Sequence, residues 1–172
     1  PICGEPLPAE VCDDVTNLND SALEDGSFQY AGSTEGRAND HTGSCGSNNA
    51  SDQAFSFTAP AAGDWVFTTK QDDPAADSYD TVVYVRSDCT DPNGELDCND
   101  DSGSPQSLVS VHLDEGQTIA VIVDGYNEAA GPFVLTAYPF VTLNEGDACD
   151  PGNTRAACAE GLICGDVADG VA

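Results

Sequence analysis

The chain has 172 residues, with 31 acidic against 4 basic side chains and a formal net charge of -27. That imbalance excludes nucleic acid, whose phosphates need Lys and Arg, and argues against anionic membrane surfaces. It also makes a compact state self-repelling, so bound divalent cations or a saline habitat are expected; the bland alternative is a surface made acidic for solubility.

In chain order, residues 1–21 read as an irregular, Cys-containing N-terminal segment. Strand signals then follow at Phe28–Ala31, Gln53–Thr58, Asp64–Thr69, Thr81–Arg86, Glu95–Cys98, Leu108–Leu113, Thr118–Asp124 and Pro132–Tyr138. Several alternate with period two: Phe55 with Phe57, Trp65 with Phe67, and Val109 with Val111 and Leu113. Gly- and Pro-containing turns separate the strands, at 59–64, 114–117 and 125–131. No window shows a helical period, and the longest apolar run, Thr118–Val123, is far short of the ~18 residues a membrane span needs. The pattern predicts an all-β, antiparallel sandwich over 22–142, followed by a small Cys-rich tail, 143–172, held by disulfides. With no Met and no apolar leader, the chain is expected to be a mature or excised one.

Eight cysteines without a C-x-x-C pair read as disulfides made outside a reducing cytosol, not as zinc ligands. Cys89 with Cys98 is the first expected pairing, because it closes a short loop between adjacent strands. Cys12 with Cys45 and Cys149 with Cys164 come next. Cys3 and Cys158 are left to pair within the chain or with a neighbouring copy.

The loop between Cys89 and Cys98 returns into a group of hard oxygen donors. Asp77 and Asp80 stand at the entry to the strand 81–86, while Asp97, Asn99, Asp100 and Asp101 lie around the end of the next. Calcium takes about six to eight oxygens from carboxylates, amides and carbonyls, so these six residues are its candidate ligands. The alternative is an Asx-rich turn whose side chains bond their own backbone. No EF-hand loop is present. Tyr84, out of phase with Val83 and Val85, and Tyr126, in the 125–131 turn, are candidate ligand-binding aromatics. Two histidines, no G-x-S-x-G elbow and no H-E-x-x-H give no sign of a catalytic centre.

Ordered motifs then carry a resemblance. They run Thr34-x-Gly36-x-x-Asn39-Asp40, Ser51–Pro60, Gly63-Asp64-Trp65-Val66-Phe67, Tyr79–Val85, Cys98-Asn99-Asp100-Asp101, Gly116-Gln117-Thr118, Val123-Asp124-Gly125-Tyr126 and Gly131–Thr136. Together they resemble the bacterial pre-peptidase C-terminal domain, a jelly-roll-like β-sandwich related to the collagen-binding domains of secreted collagenases. The resemblance spans roughly residues 22–140. It implies a non-catalytic accessory module of secreted proteins, among whose relatives some bind calcium and some bind insoluble protein or polysaccharide. The tail from Gly146 to Cys164 is similar to small disulfide motifs of extracellular proteins.

The expected function is therefore a structural or adhesive subunit, extracellular or at the cell surface, stabilised by calcium. Ile2-Cys3-Gly4-Glu5 echoes Ile163-Cys164-Gly165-Asp166, which fits copies joined head to tail, or a coincidence in a Cys/Gly-rich chain. Expected partners are copies of itself or other extracellular proteins. The competing reading is a targeting module of a larger secreted hydrolase, with polysaccharide or fibrous protein as ligand.

Overall fold

Gly- and Pro-bearing turns cut the chain into short extended runs, and ten of these pair into two sheets. In the computed structural model the described residues are 12, 14–46, 49–71 and 79–143, with the backbone of 156–158. The strands are β1 (Thr16–Asn17), β2 (Phe28–Ser33), β3 (Gln53–Thr58), β4 (Gly63–Thr68), β5 (Thr81–Arg86), β6 (Glu95–Asn99), β7 (Leu108–Leu113), β8 (Thr118–Gly125), β9 (Pro132–Leu143) and β10 (Ala156–Cys158). All eight strands expected from the sequence are among them. Two more were not expected. β1 and the 3-10 turn Leu18–Ser21 lie inside the stretch read as irregular, and Leu18 is fully buried.

The first sheet runs β1-β3-β8-β5-β6, antiparallel except for the parallel β1–β3 pair. The second runs β10-β9-β4-β7, with β2 also on β9. Between them lies the main core, in which Phe57 is the hub. Its ring centroid is 5.2 Å from Phe28, 5.0 Å from Trp65 and 5.1 Å from Phe67. Edge-to-face contacts of this kind add to the burial of large rings.

At β5 and β8 the first sheet is buried on both faces. Inward, Val83, Val85, Val121 and Val123 join the main core. Outward, Ala54, Val82, Tyr84, Ala120 and Ile122 form a second apolar cluster. The segment 42–46 covers it so closely that only glycine fits at two points. A Cβ on Gly43 would stand 2.5 Å from the Tyr84 ring, and one on Gly46 would stand 2.4 Å from Val82. Arg86 Nη2 donates to the Thr42 carbonyl at 2.6 Å and its guanidinium lies over the Tyr84 ring. The cover is therefore held by a charge-assisted hydrogen bond as well as by apolar contact.

Two disulfides, one to this cover and one to the N-terminal segment, correct the expected pairings. Cys12 bonds Cys89, and Cys45 bonds Cys98. The β5–β6 register explains why Cys89 and Cys98 do not meet: Cys98 stands opposite Tyr84, while Cys89 lies beyond the strand end. Backbone hydrogen bonds close the hairpin instead, from Ser87 N to Gly94 O and from Gly94 N to Asp91 O. Both sulfurs are thus left to reach the cover and the N-terminal segment. The expected Cys149–Cys164 pair and Cys3 lie outside the described residues, as does the side chain of Cys158.

Candidate metal centre

The start of β5 and the turn after β6 meet at one end of the first sheet. Several hydrogen bonds pin them together. Thr81 N donates to Pro105 O at 3.0 Å, Ser102 N donates to Gln106 O at 2.9 Å, and Gln106 Nε2 donates to Tyr79 O at 3.2 Å. Ser107 Oγ lies 2.6 Å from the Thr81 carbonyl oxygen and 2.7 Å from that of Asp100. Lys70, the single lysine, reaches the Ser102 carbonyl at 2.5 Å.

This scaffold gathers Asp80, Asp100 and Asp101, with a carboxylate oxygen of each within 4.8 Å of the others. Asp80 Oδ1 and Asp100 Oδ1 are buried and have no hydrogen-bond donor among the described residues. Ser104 Oγ and Gln106 Oε1, in the same turn, are buried and unpartnered too. Burial pushes the Asp80 carboxyl above the ordinary carboxylate range, and the neighbouring Asp101 charge adds to this. Asp100 is raised first by burial and then by Asp101 and Asp80. Like charges brought together away from water disfavour ionisation unless a cation accompanies them.

The remaining candidate ligands have other work. Asp97 accepts Ser110 N at 3.0 Å and Cys98 N at 2.9 Å. Asn99 accepts Leu108 N at 3.0 Å and donates to Asp101 O at 3.3 Å. These side chains stand in for a missing strand: they satisfy the outer edge of β7 and close the gap between the two sheets. Asn99 also braces the acidic turn. Asp77 lies outside the described residues. Gln106 and Ser104 carry no sequence signal that marks them, since only the fold of the turn brings them beside Asp80.

Tyr84 is corrected outright. It is fully buried in the second cluster, so it is packing and not an exposed platform. Tyr126 does stand exposed, in the wall of a cleft. A second cleft, of about 520 Å³, is lined by Cys12, Arg37, His41, Asp52 and Gln53 among others. There Asp52 accepts the backbone N–H groups of Asp40 and His41. Burial raises its carboxyl nonetheless, the His41 N–H pulling the other way. His41 lies with Cys12 and Cys89 in a grouping a soft metal would favour, but the two sulfurs are bonded to each other. His112 pairs with Asp64 at 2.8 Å on an exposed surface, and it lines neither cleft.

No protein-family model matches the sequence, and no curated protein matches it. Among solved structures, the fold is similar to the pre-peptidase C-terminal domain of collagenase from Bacillus anthracis, at 11% identity and TM-score 0.49, over 74% of this chain and 98% of that one. It is also similar to Aeromonas hydrophila PliG, a periplasmic lysozyme inhibitor of g-type lysozyme, at 14% identity and TM-score 0.41, over 73% of this chain and 97% of that one.

Proposed function

We propose that this chain is a non-catalytic β-sandwich module of an exported protein, structural or adhesive in role, and pinned at one end by calcium. The observation that carries the reading is the pair of buried, donorless oxygens on Asp80 and Asp100 beside the Asp101 carboxylate. A divalent cation would satisfy all three and remove their mutual repulsion. Asp101 is the exposed member, which leaves room for water in the coordination shell. The net charge of -27 favours the same partner. Two disulfides among the described residues fit an oxidising compartment.

The edge of β9 accepts the short parallel strand β10, with Ala156 opposite Val141 and Cys158 opposite Leu143. A head-to-tail assembly through this edge would need β10 of one copy to exchange onto β9 of the next in place of that copy's own β10. The targeting reading rests instead on the cleft beside Tyr126.

The test is thermal unfolding with calcium and with a chelator. Calcium at a hundredfold excess over its dissociation constant would add about 2.7 kcal/mol, a rise of roughly 5–10 °C. Asp100→Ala with Asp101→Ala should remove that rise. A wild-type melting temperature indifferent to calcium would overturn the cation; a rise that survives in the double variant would move it elsewhere.

A further inference from the structure

Two clusters of metal-ligating side chains occur among the described residues, and one of them is not acidic. It brings together Cys12, His41 and Cys89, with the two sulfurs and a ring nitrogen within 4.8 Å of one another. The sulfurs are joined as a disulfide, and His41 Nε2 lies 4.0 Å from that of Cys89. Among the described residues, the Cys45–Cys98 bridge belongs to no such cluster.

Each of the three arms is anchored without help from the disulfide. Cys12 stands shortly before β1, where Thr16 pairs with Phe55 and accepts Gln53 Nε2 at 3.2 Å. Between them Asp14 meets the Arg37 guanidinium at 3.2 Å. The buried His41 is fixed through its backbone, because the Asp52 carboxylate accepts Asp40 N at 2.8 Å and His41 N at 2.9 Å. Cys89 sits in a turn where Asp88 Oδ1 accepts Thr90 N at 2.8 Å and Asp88 O accepts Asp91 N at 3.2 Å. Opening the disulfide therefore leaves three soft donors facing one point.

The spacing suits a tetrahedral ion. Bonds of about 2.3 Å to sulfur and about 2.0–2.1 Å to nitrogen place two ligand sulfurs about 3.8 Å apart, and a ligand nitrogen about 3.6 Å from either. The Cα atoms of Cys12 and Cys89 are 6.2 Å apart, so rotation about the two Cα–Cβ bonds parts the sulfurs that far. Two sulfurs and an imidazole suit zinc and not calcium, which takes oxygen. The cleft of about 520 Å³ reaches Cys12 and His41, and it carries Asp14, Glu35, Asp40 and Asp52 against one guanidinium, Arg37. Its field draws cations inward.

We propose that Cys12, His41 and Cys89 form a zinc site that the disulfide masks, with water from the cleft at the fourth corner. A small-molecule thiol opens it. Two such thiols pass their hydrogens to the two protein sulfurs and leave joined as a disulfide. Zinc then displaces the two thiol protons to solvent. An external disulfide closes the site again by taking two electrons from the protein sulfurs, and it leaves as two thiols while the ion is expelled. The proposal rests on no part of the calcium reading.

The test is imidazole and amide NMR of the isotope-labelled full chain, reduced with dithiothreitol, freed of it under argon and titrated with zinc chloride. Zinc should move the His41 ring nitrogens and leave those of His112, paired with Asp64 on the open surface, where they were. It should also slow alkylation of Cys12 and Cys89 by iodoacetamide about tenfold or more relative to Cys45 and Cys98, read by peptide mass spectrometry. The oxidised chain and the variant Cys12→Ser with Cys89→Ser should give no His41 response. A His41 ring indifferent to zinc, a response that survives oxidation or the double variant, or protection confined to other cysteines would each overturn the site. So would a reduced chain that loses its amide dispersion and does not regain it with zinc.

Discussion

The two sheets have strands of similar length but live in different solvents. In the second sheet, β7 alternates buried and exposed residues, with Val109, Val111 and Leu113 inward and Ser110 and His112 in water. In the first, all six residues of β5 are buried, and seven of eight in β8. The contrast is between β7, an open-faced edge, and the β5–β8 pair, a covered centre; β4 and β9 also bury runs of four, Trp65–Thr68 and Leu135–Tyr138. What covers that centre is not another sheet but an irregular segment held down by the Cys45–Cys98 cross-link and the buried Arg86, with Cys12–Cys89 tying the N-terminal segment beside it. A small chain thereby gains a second apolar cluster, each well-buried side chain of which is worth about 1.5–3 kcal/mol.

Cutting the staple should break this contrast most. Cys45→Ala with Cys98→Ala is expected to cost about 2–5 kcal/mol in urea unfolding and to expose Tyr84 to solvent. A loss within the ordinary scatter of surface substitutions, about 0.5 kcal/mol, would mean that the cover holds itself. A milder test leaves the disulfides intact. Gly43→Val forces a side chain against the Tyr84 ring and should cost about 1–3 kcal/mol. The matched change Ser110→Val, on the open face of β7, should stay within about 0.5 kcal/mol. Equal effects at the two sites would erase the distinction between the covered β5–β8 centre and the open edge β7.

The smallest effect lies at the seam where the sheets meet. The Tyr79 phenol oxygen accepts the Thr34 hydroxyl at 2.9 Å, and burial raises the phenol well above its ordinary value of 10.0. The folded state therefore holds this proton more tightly than the unfolded state does. The stability linked to it is complete below about pH 10 and is lost as the pH climbs beyond. Melting temperature should fall more steeply in wild type than in Tyr79→Phe above that point. Parallel slopes would show that the seam tolerates a phenolate.

The eight long strands were legible because alternation and turn chemistry repeat over five or more residues. β1 and β10, two and three residues long, have no period to read; backbone pairing with β3 and β9 alone defines them. Tyr84 was placed on the correct side of its strand, opposite Val83 and Val85. What alternation does not carry is whether that side is covered. The unbroken apolar runs Val82–Val85 and Ile119–Val123 held the clue, since strands buried on both faces lose their polar phase. The disulfides were misread because nearness in sequence was taken for nearness in space, whereas the hairpin register sets Cys98 against Tyr84. At the acidic turn, Asp80, Asp100 and Asp101 could be picked out by their position at strand ends. Separating them from Asp97 and Asn99 needed the side-chain bonds to β7, a long-range fact.

The two disulfides interlock along the chain, since Cys45 falls between Cys12 and Cys89, and Cys89 between Cys45 and Cys98. In mechanical terms this makes the first half of the molecule a closed truss. A pull applied at the ends crosses from Cys12 directly to Cys89, so only the short hairpin up to Cys98 can pay out before the load reaches the later strands. β2, β3 and β4 carry none of it. Among the described strands, length under tension must come from β7, β8 and β9, so each sheet is parted from within: β3 and β5 stay slack in the first while β8 is drawn out, and β2 and β4 stay slack in the second while β7 and β9 are drawn out.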